Sequence, residues 1–130
     1  IIIQSGDTFL VPSGPDGLHL HVVALGPTMV EGYGCNEQVV LVGITTLRPN
    51  APYDDACLLN PGDHPFIEHE SFVYYRRIRI GSVEHLMGLI ESGYLAKRQP
   101  CSQELLEKII SGVHISRFIP REFGRIFQDS

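Results

Sequence analysis

Imidazole chemistry is possible at two places in this sequence. His19 and His21 stand two apart in "LHLHVVAL", a spacing that on a strand points both side chains to one face. Imidazoles titrate near neutral pH, so a pair on one face suits general acid and base work. The same pair suits a metal if a third ligand joins it, and it suits an ordinary half-exposed strand if nothing does. The second place is "GDHPFIEHES", Gly62 to Ser71, which holds His64, His69 and three acids. Asn60-Pro61-Gly62-Asp63 is a turn signal, and His64 before Pro65 must be extended. The stretch therefore reads as the loop that enters the next strand, with Phe66 and Ile67 tucked inward. Either histidine can face a ligand there, or His64 can hydrogen-bond nearby backbone and hold the turn. Cys57, His64 and His69 are spaced seven and five apart, which matches no standard metal-ligand pattern.

Hydroxyl and guanidinium groups add a second set of candidates. Thr45 and Thr46 end the apolar run "VVLVGITT", where threonine also occurs for β-propensity alone. In "SFVYYRRIRI", strict alternation places Ser71, Val73, Tyr75, Arg77 and Arg79 on one face. Arg77 and Arg79 beside Tyr75 make a basic face with an aromatic on which a base can stack; a solvated strand face is the plain alternative. Phe72, Tyr74, Arg76, Ile78 and Ile80 share the other face, expected to be mostly core.

The elements that must position these groups follow from local pattern. Strands are expected at Ile1 to Ile3, Thr8 to Val11, Leu18 to Leu25, Val39 to Thr46, Cys57 to Leu59 and Ser71 to Ile80. Ser13 to Gly17 is a loop by composition. Past residue 81 the period becomes helical. Val83 to Ser92 puts Leu86, Leu89 and Ile90 on one face, with Gly93 as C-cap. A second helix opens at Ser102-Gln103-Glu104 and carries a stripe of Leu105, Leu106, Ile109, Ile110 and Val113. Ser116 to Phe127 holds a proline and is expected to be partly helical. The sum is one α+β domain over 1–130: a small β-barrel over about residues 1–80, then one or two packed helices over 81–127.

In this order the segments resemble the MazF/PemK family of toxin endoribonucleases, over nearly the whole chain. "SGDTFLV" is similar to the family's opening Gly-Asp and apolar strand. "VLVGITT" is similar to its strand ending in Ile-Thr, "ESFVYYRRIRI" to its Asp-Ser strand ending in a basic run, and "ELLEKIISGVHIS" to its terminal helix. The resemblance implies an SH3-like barrel that cleaves single-stranded RNA without a metal or cofactor, a ribose 2′-hydroxyl attacking the adjacent phosphorus to leave a cyclic phosphate. It further implies a homodimer whose groove an antitoxin covers. "LHLHVVAL" stands where the family has Arg-Pro before an apolar strand, so His19 replaces the family's catalytic Arg and Leu20 its Pro. The resemblance then assigns His19, Thr45 and Arg79 to the chemistry, with His21, His64, His69, Ser71, Tyr75 and Arg77 around the substrate; Arg77 or Arg79 supplies the charge an imidazole lacks.

Bulk properties set the limits. The chain carries a net charge of −5 and 43% hydrophobic residues, which argues against a broad electrostatic nucleic-acid binder but not against a local basic groove. No apolar run approaches the roughly 20 residues a membrane span needs. An odd set of three cysteines, Cys35, Cys57 and Cys101, points to free, structural thiols in a reducing cytoplasm. The opening isoleucines are no signal peptide, and without an initiator Met the chain is expected to be a trimmed product. Two rival functions stay open: a non-catalytic module of the same fold that binds protein or nucleic acid, and a metal-dependent hydrolase using His19 and His21 with His64 or His69.

Overall fold

The computed structural model describes residues 2–12 and 17–128. In chain order the elements are β1 (Thr8–Pro12), β2 (Leu18–Thr28), β3 (Gln38–Thr46), β4 (Leu58–Leu59), β5 (Ser71–Val73), a single 3-10 turn (Tyr75–Arg77), β6 (Arg79–Ser82), α1 (Val83–Glu91), β7 (Ala96–Arg98), α2 (Gln103–Val113) and α3 (Arg121–Gln128). The class is α+β, as expected. The strands form one antiparallel sheet in the order β4-β5-β3-β2-β1-β7, with β6 on the first half of β3 and β5 on its second half. Among the described residues β4 and β7 do not pair with each other, so the sheet is not closed into a barrel. No helix among them is long and apolar enough to cross a membrane.

Period-two alternation gives the sheet two apolar faces. Leu10, Leu20, Val22, Val40 and Val42 pack under Leu105, Ile109 and Val113 of α2 and Phe123 and Phe127 of α3. Each such side chain contributes on the order of 1.5–3 kcal/mol by leaving water. On the reverse face, Phe9, Val23, Val39 and Leu41 pack against Leu86 of α1 and against Leu95. This second face changes character along β2. Val23 is apolar, whereas His21 and His19, the next residues on that side, are polar. The small helix α1 covers the apolar part and leaves the polar part open. The starts of α1 and α2 obey local chemistry: Ser82 and Ser102 accept from the backbone N–H groups of His85 and Leu105, satisfying donors that a helix leaves free. Gly93 takes φ +84° just past α1, a conformation that suits glycine.

Three expectations change. Residues 2–4 form no strand: Asp7 accepts from the Gln4 N–H and donates its own N–H to the Gln4 carbonyl, each at 3.0 Å, which turns the chain, and Ile3 is buried against Phe9 and Val23. The strand expected over Ser71 to Ile80 is cut by the 3-10 turn, so its alternation resets. The region past residue 81 is not wholly helical, because β7 returns to pair with β1. The loop at Ser13 to Gly17 lies, except for Gly17, outside the described residues.

Candidate functional site

An open groove of about 940 Å³ runs along the uncovered part of the second face. Its polar end is formed by His19, His21, Thr45, Tyr74, Arg77 and Arg79, and its apolar end by Leu86, Leu89, Leu95 and Tyr94. The β2–β3 register explains the centre. His21 pairs with Gly43, and its ring lies over that glycine so closely that a Cβ there would be 3.1 Å from His21 Nε2. An isolated glycine inside an apolar strand marks close approach of another group, and it was the readable signal for this site.

Two contacts fix the tautomer of His21. Nδ1 lies 3.4 Å from the His19 carbonyl oxygen, which can only accept. Nε2 lies 3.5 Å from Arg79 Nη2, which can only donate. The proton therefore sits on Nδ1, and Nε2 turns its lone pair toward the groove and Arg79. Both contacts are long, so they orient the ring more than they bind it. Burial pushes the His21 pKa down from 6.5 to about 4; the hydrogen bond to the His19 backbone opposes this, while the Arg79 charge and His19 add to it. His21 is thus a neutral imidazole at physiological pH, beside a permanent cation.

His19 sits between this groove and a second pocket of about 210 Å³, which Thr46, Phe66, His69 and Ser71 also line. Its Nδ1 is buried with no hydrogen-bond partner among the described residues. Ser71 is buried and donates to the His69 carbonyl at 2.8 Å, while His69 itself is exposed.

Two expected site residues lie elsewhere. His64 is 2% exposed. Its Nδ1 accepts from the Phe66 N–H at 3.0 Å and its Nε2 donates to the Gln99 carbonyl at 2.6 Å, so it holds the turn, the other role open to it. Phe66, expected to tuck inward, is 41% exposed. Tyr75 is wholly buried and donates to the Ile109 carbonyl of α2 at 2.6 Å; it offers no stacking face. The cause is the face itself: Tyr75 follows Val73 into the core, both fully buried, while Tyr74 packs on the Phe72 ring and reaches the groove. Arg76 is exposed and lies over the Phe118 ring, 4.9 Å from its centroid. Tyr74, His85 and Tyr94 line the groove without having been singled out; each needed the tertiary arrangement to be seen.

Among the described residues no group of three or more His, Cys, Asp or Glu side chains is placed to hold a metal ion; His19 and His21 are not joined by His64 or His69. Cys35, Cys57 and Cys101 are free thiols, and burial raises the pKa of Cys57 and Cys101, which keeps them protonated and poorly nucleophilic. No protein-family model and no curated protein matches this chain.

Proposed function

We propose that the chain is a MazF/PemK-like endoribonuclease domain that cuts single-stranded RNA without a metal, as the toxin of a toxin–antitoxin pair. The observation that carries this reading is the His21–Arg79 pair on the groove floor: a neutral imidazole with its Nε2 lone pair free of a proton, 3.5 Å from a guanidinium nitrogen. Cleavage by a 2′-hydroxyl needs a base at that hydroxyl and fixed positive charge at the phosphate. His21, which the resemblance placed only around the substrate, is the base in this proposal. Arg79 leaves Nε2 for the phosphate, Nε2 then takes the 2′-hydroxyl proton, the 2′-oxygen bonds to phosphorus, and the P–O5′ bond breaks. Arg79, with Arg77, neutralises the non-bridging oxygens, and the Thr45 hydroxyl donates to one of them. The leaving 5′-oxygen takes its proton from His19, which we assign as the acid. The fold supports the family reading as an opened SH3-like barrel: β3 pairs β2 on one edge and divides its other edge between β5 and β6. A homodimer, an antitoxin segment over the groove and a cytoplasmic location belong to the same proposal.

Purified protein is incubated with a varied RNA pool and a metal chelator. We expect cuts with cyclic-phosphate ends, weakened on the order of 100-fold or more in His21→Ala and Arg79→Ala. The net charge of −5 favours the second reading, a binding module of the same fold. Folded protein that retains RNA but never cuts it establishes that reading instead.

A further inference from the structure

The second pocket lies beside the groove and shares His19 and Ile44 with it. Its walls are held rigidly. His64 ties the Phe66 backbone to Gln99, as described above. The Ile67 N–H donates to the His64 carbonyl at 2.9 Å, the Gly62 N–H donates to the Ile67 carbonyl at 3.0 Å, and Ile67 is 5% exposed. The loop thus sinks Ile67 and holds the Phe66 ring outward. Leu18, 51% exposed, is the other apolar wall. Between these walls lie the Thr46 and Ser71 side chains and His19, whose buried Nδ1 lacks a partner. Apolar walls, one of them aromatic, over a floor of hydrogen-bonding groups suit a flat heteroaromatic ring, stacked on its face and bonded at its edge.

Resting on the ribonuclease reading, we propose that this pocket is a nucleobase subsite: it takes one base of the RNA strand lying in the groove, stacked on Phe66 and bonded at its edge by the Thr46 hydroxyl. It gives the stretch "GDHPFIEHES" a purpose, the rigid presentation of Phe66, and it makes sequence preference a property of this pocket.

The test measures binding by fluorescence anisotropy, using uncleavable 2′-O-methyl RNA oligomers, one homopolymer per base. Cleavage of ordinary RNA is followed in parallel. The variants are Phe66→Ala, Phe66→Leu (apolar but without a ring) and Thr46→Val, each checked for an unchanged melting temperature. We expect the wild type to rank the homopolymers unequally. Phe66→Ala and Phe66→Leu should weaken the favoured one about fivefold or more, and Thr46→Val should change the ranking. Wild-type cleavage with variants that keep both ranking and affinity overturns the subsite alone. A wild type that neither binds nor cuts any RNA overturns the ribonuclease reading and the subsite with it.

Discussion

The lone pair of His21 Nε2 exists only because the ring stays neutral, and burial next to Arg79 enforces that. The same burial makes stability depend on pH with a sign that can be worked out. The folded pKa, about 4, lies below the ordinary 6.5, so between those values the unfolded chain binds a proton that the folded chain refuses. Stability is full above pH 6.5 and falls as pH drops toward 4, by roughly 3 kcal/mol at most. Urea unfolding of the wild type and His21→Asn at pH 7 and pH 5 isolates this contribution from that of the carboxylates: the variant should lose less stability on acidification. Equal losses in both proteins would mean that the ring is not desolvated in the folded state. Gly43→Ala tests the same ring from below. Its Cβ would press on His21 Nε2 at 3.1 Å, so the ring must give by a few tenths of an ångström. Cleavage should fall by about tenfold while stability changes by no more than about 1 kcal/mol.

The helix α2 is locked to the sheet through the 3-10 turn, where Tyr75 meets the Ile109 carbonyl. Gly112 lies so close that a Cβ there would overlap the Tyr75 hydroxyl. Gly112→Ala should therefore cost about 3 kcal/mol or more in denaturant unfolding through overpacking. Tyr75→Phe alone should cost about 1 kcal/mol for the lost hydrogen bond. Combined, the two should cost less than their sum, because removing the hydroxyl relieves part of the overlap; strict additivity would mean that helix and ring do not touch. This contact also marks the limit of what could be read from the chain. The extents of β3, α1 and α2 and the start of β2 were legible because they are written locally, in alternation, in apolar stripes and in Ser82 and Ser102; β2 runs past the expected Leu25 to Thr28. The break in "SFVYYRRIRI" was not. Every residue of that stretch suits a strand, and the turn is set by partners far along the chain, Ile109 for Tyr75 and the two halves of β3 for β5 and β6. The same holds for His64, whose polar neighbours suggested a groove while its real partner, Gln99, comes 35 residues later. Strand alternation placed His19 and His21 on one face, and both line the groove; that Thr45, Arg77 and Arg79 line it with them depends on how β2, β3 and β6 pair.

A chain with a net charge of −5 repels RNA at long range, so binding must come from where its cations lie. Of the described cations near the C-terminus, Arg121 and Arg125 are exposed on α3, whose Phe123 and Phe127 pack on the face opposite the groove. Among the described residues, Arg77 and Arg79 are the arginines that line the groove. Counterion release then predicts a shallow salt dependence of RNA affinity. With about 0.7 per phosphate neutralised on a single strand, log K against log salt should fall with a slope near −1.4. Arg79→Met should bring the slope to about −0.7, whereas Arg121→Met should leave it unchanged. Anisotropy titrations across a range of salt concentrations read this directly. An equal effect of the two substitutions would mean that RNA feels the molecule's total charge and not the groove, and the strand would then have to be placed elsewhere on the surface. A slope much steeper than expected would call for cations that the groove of one chain does not hold, and a second copy completing the site, as a homodimer would, is the arrangement that supplies them.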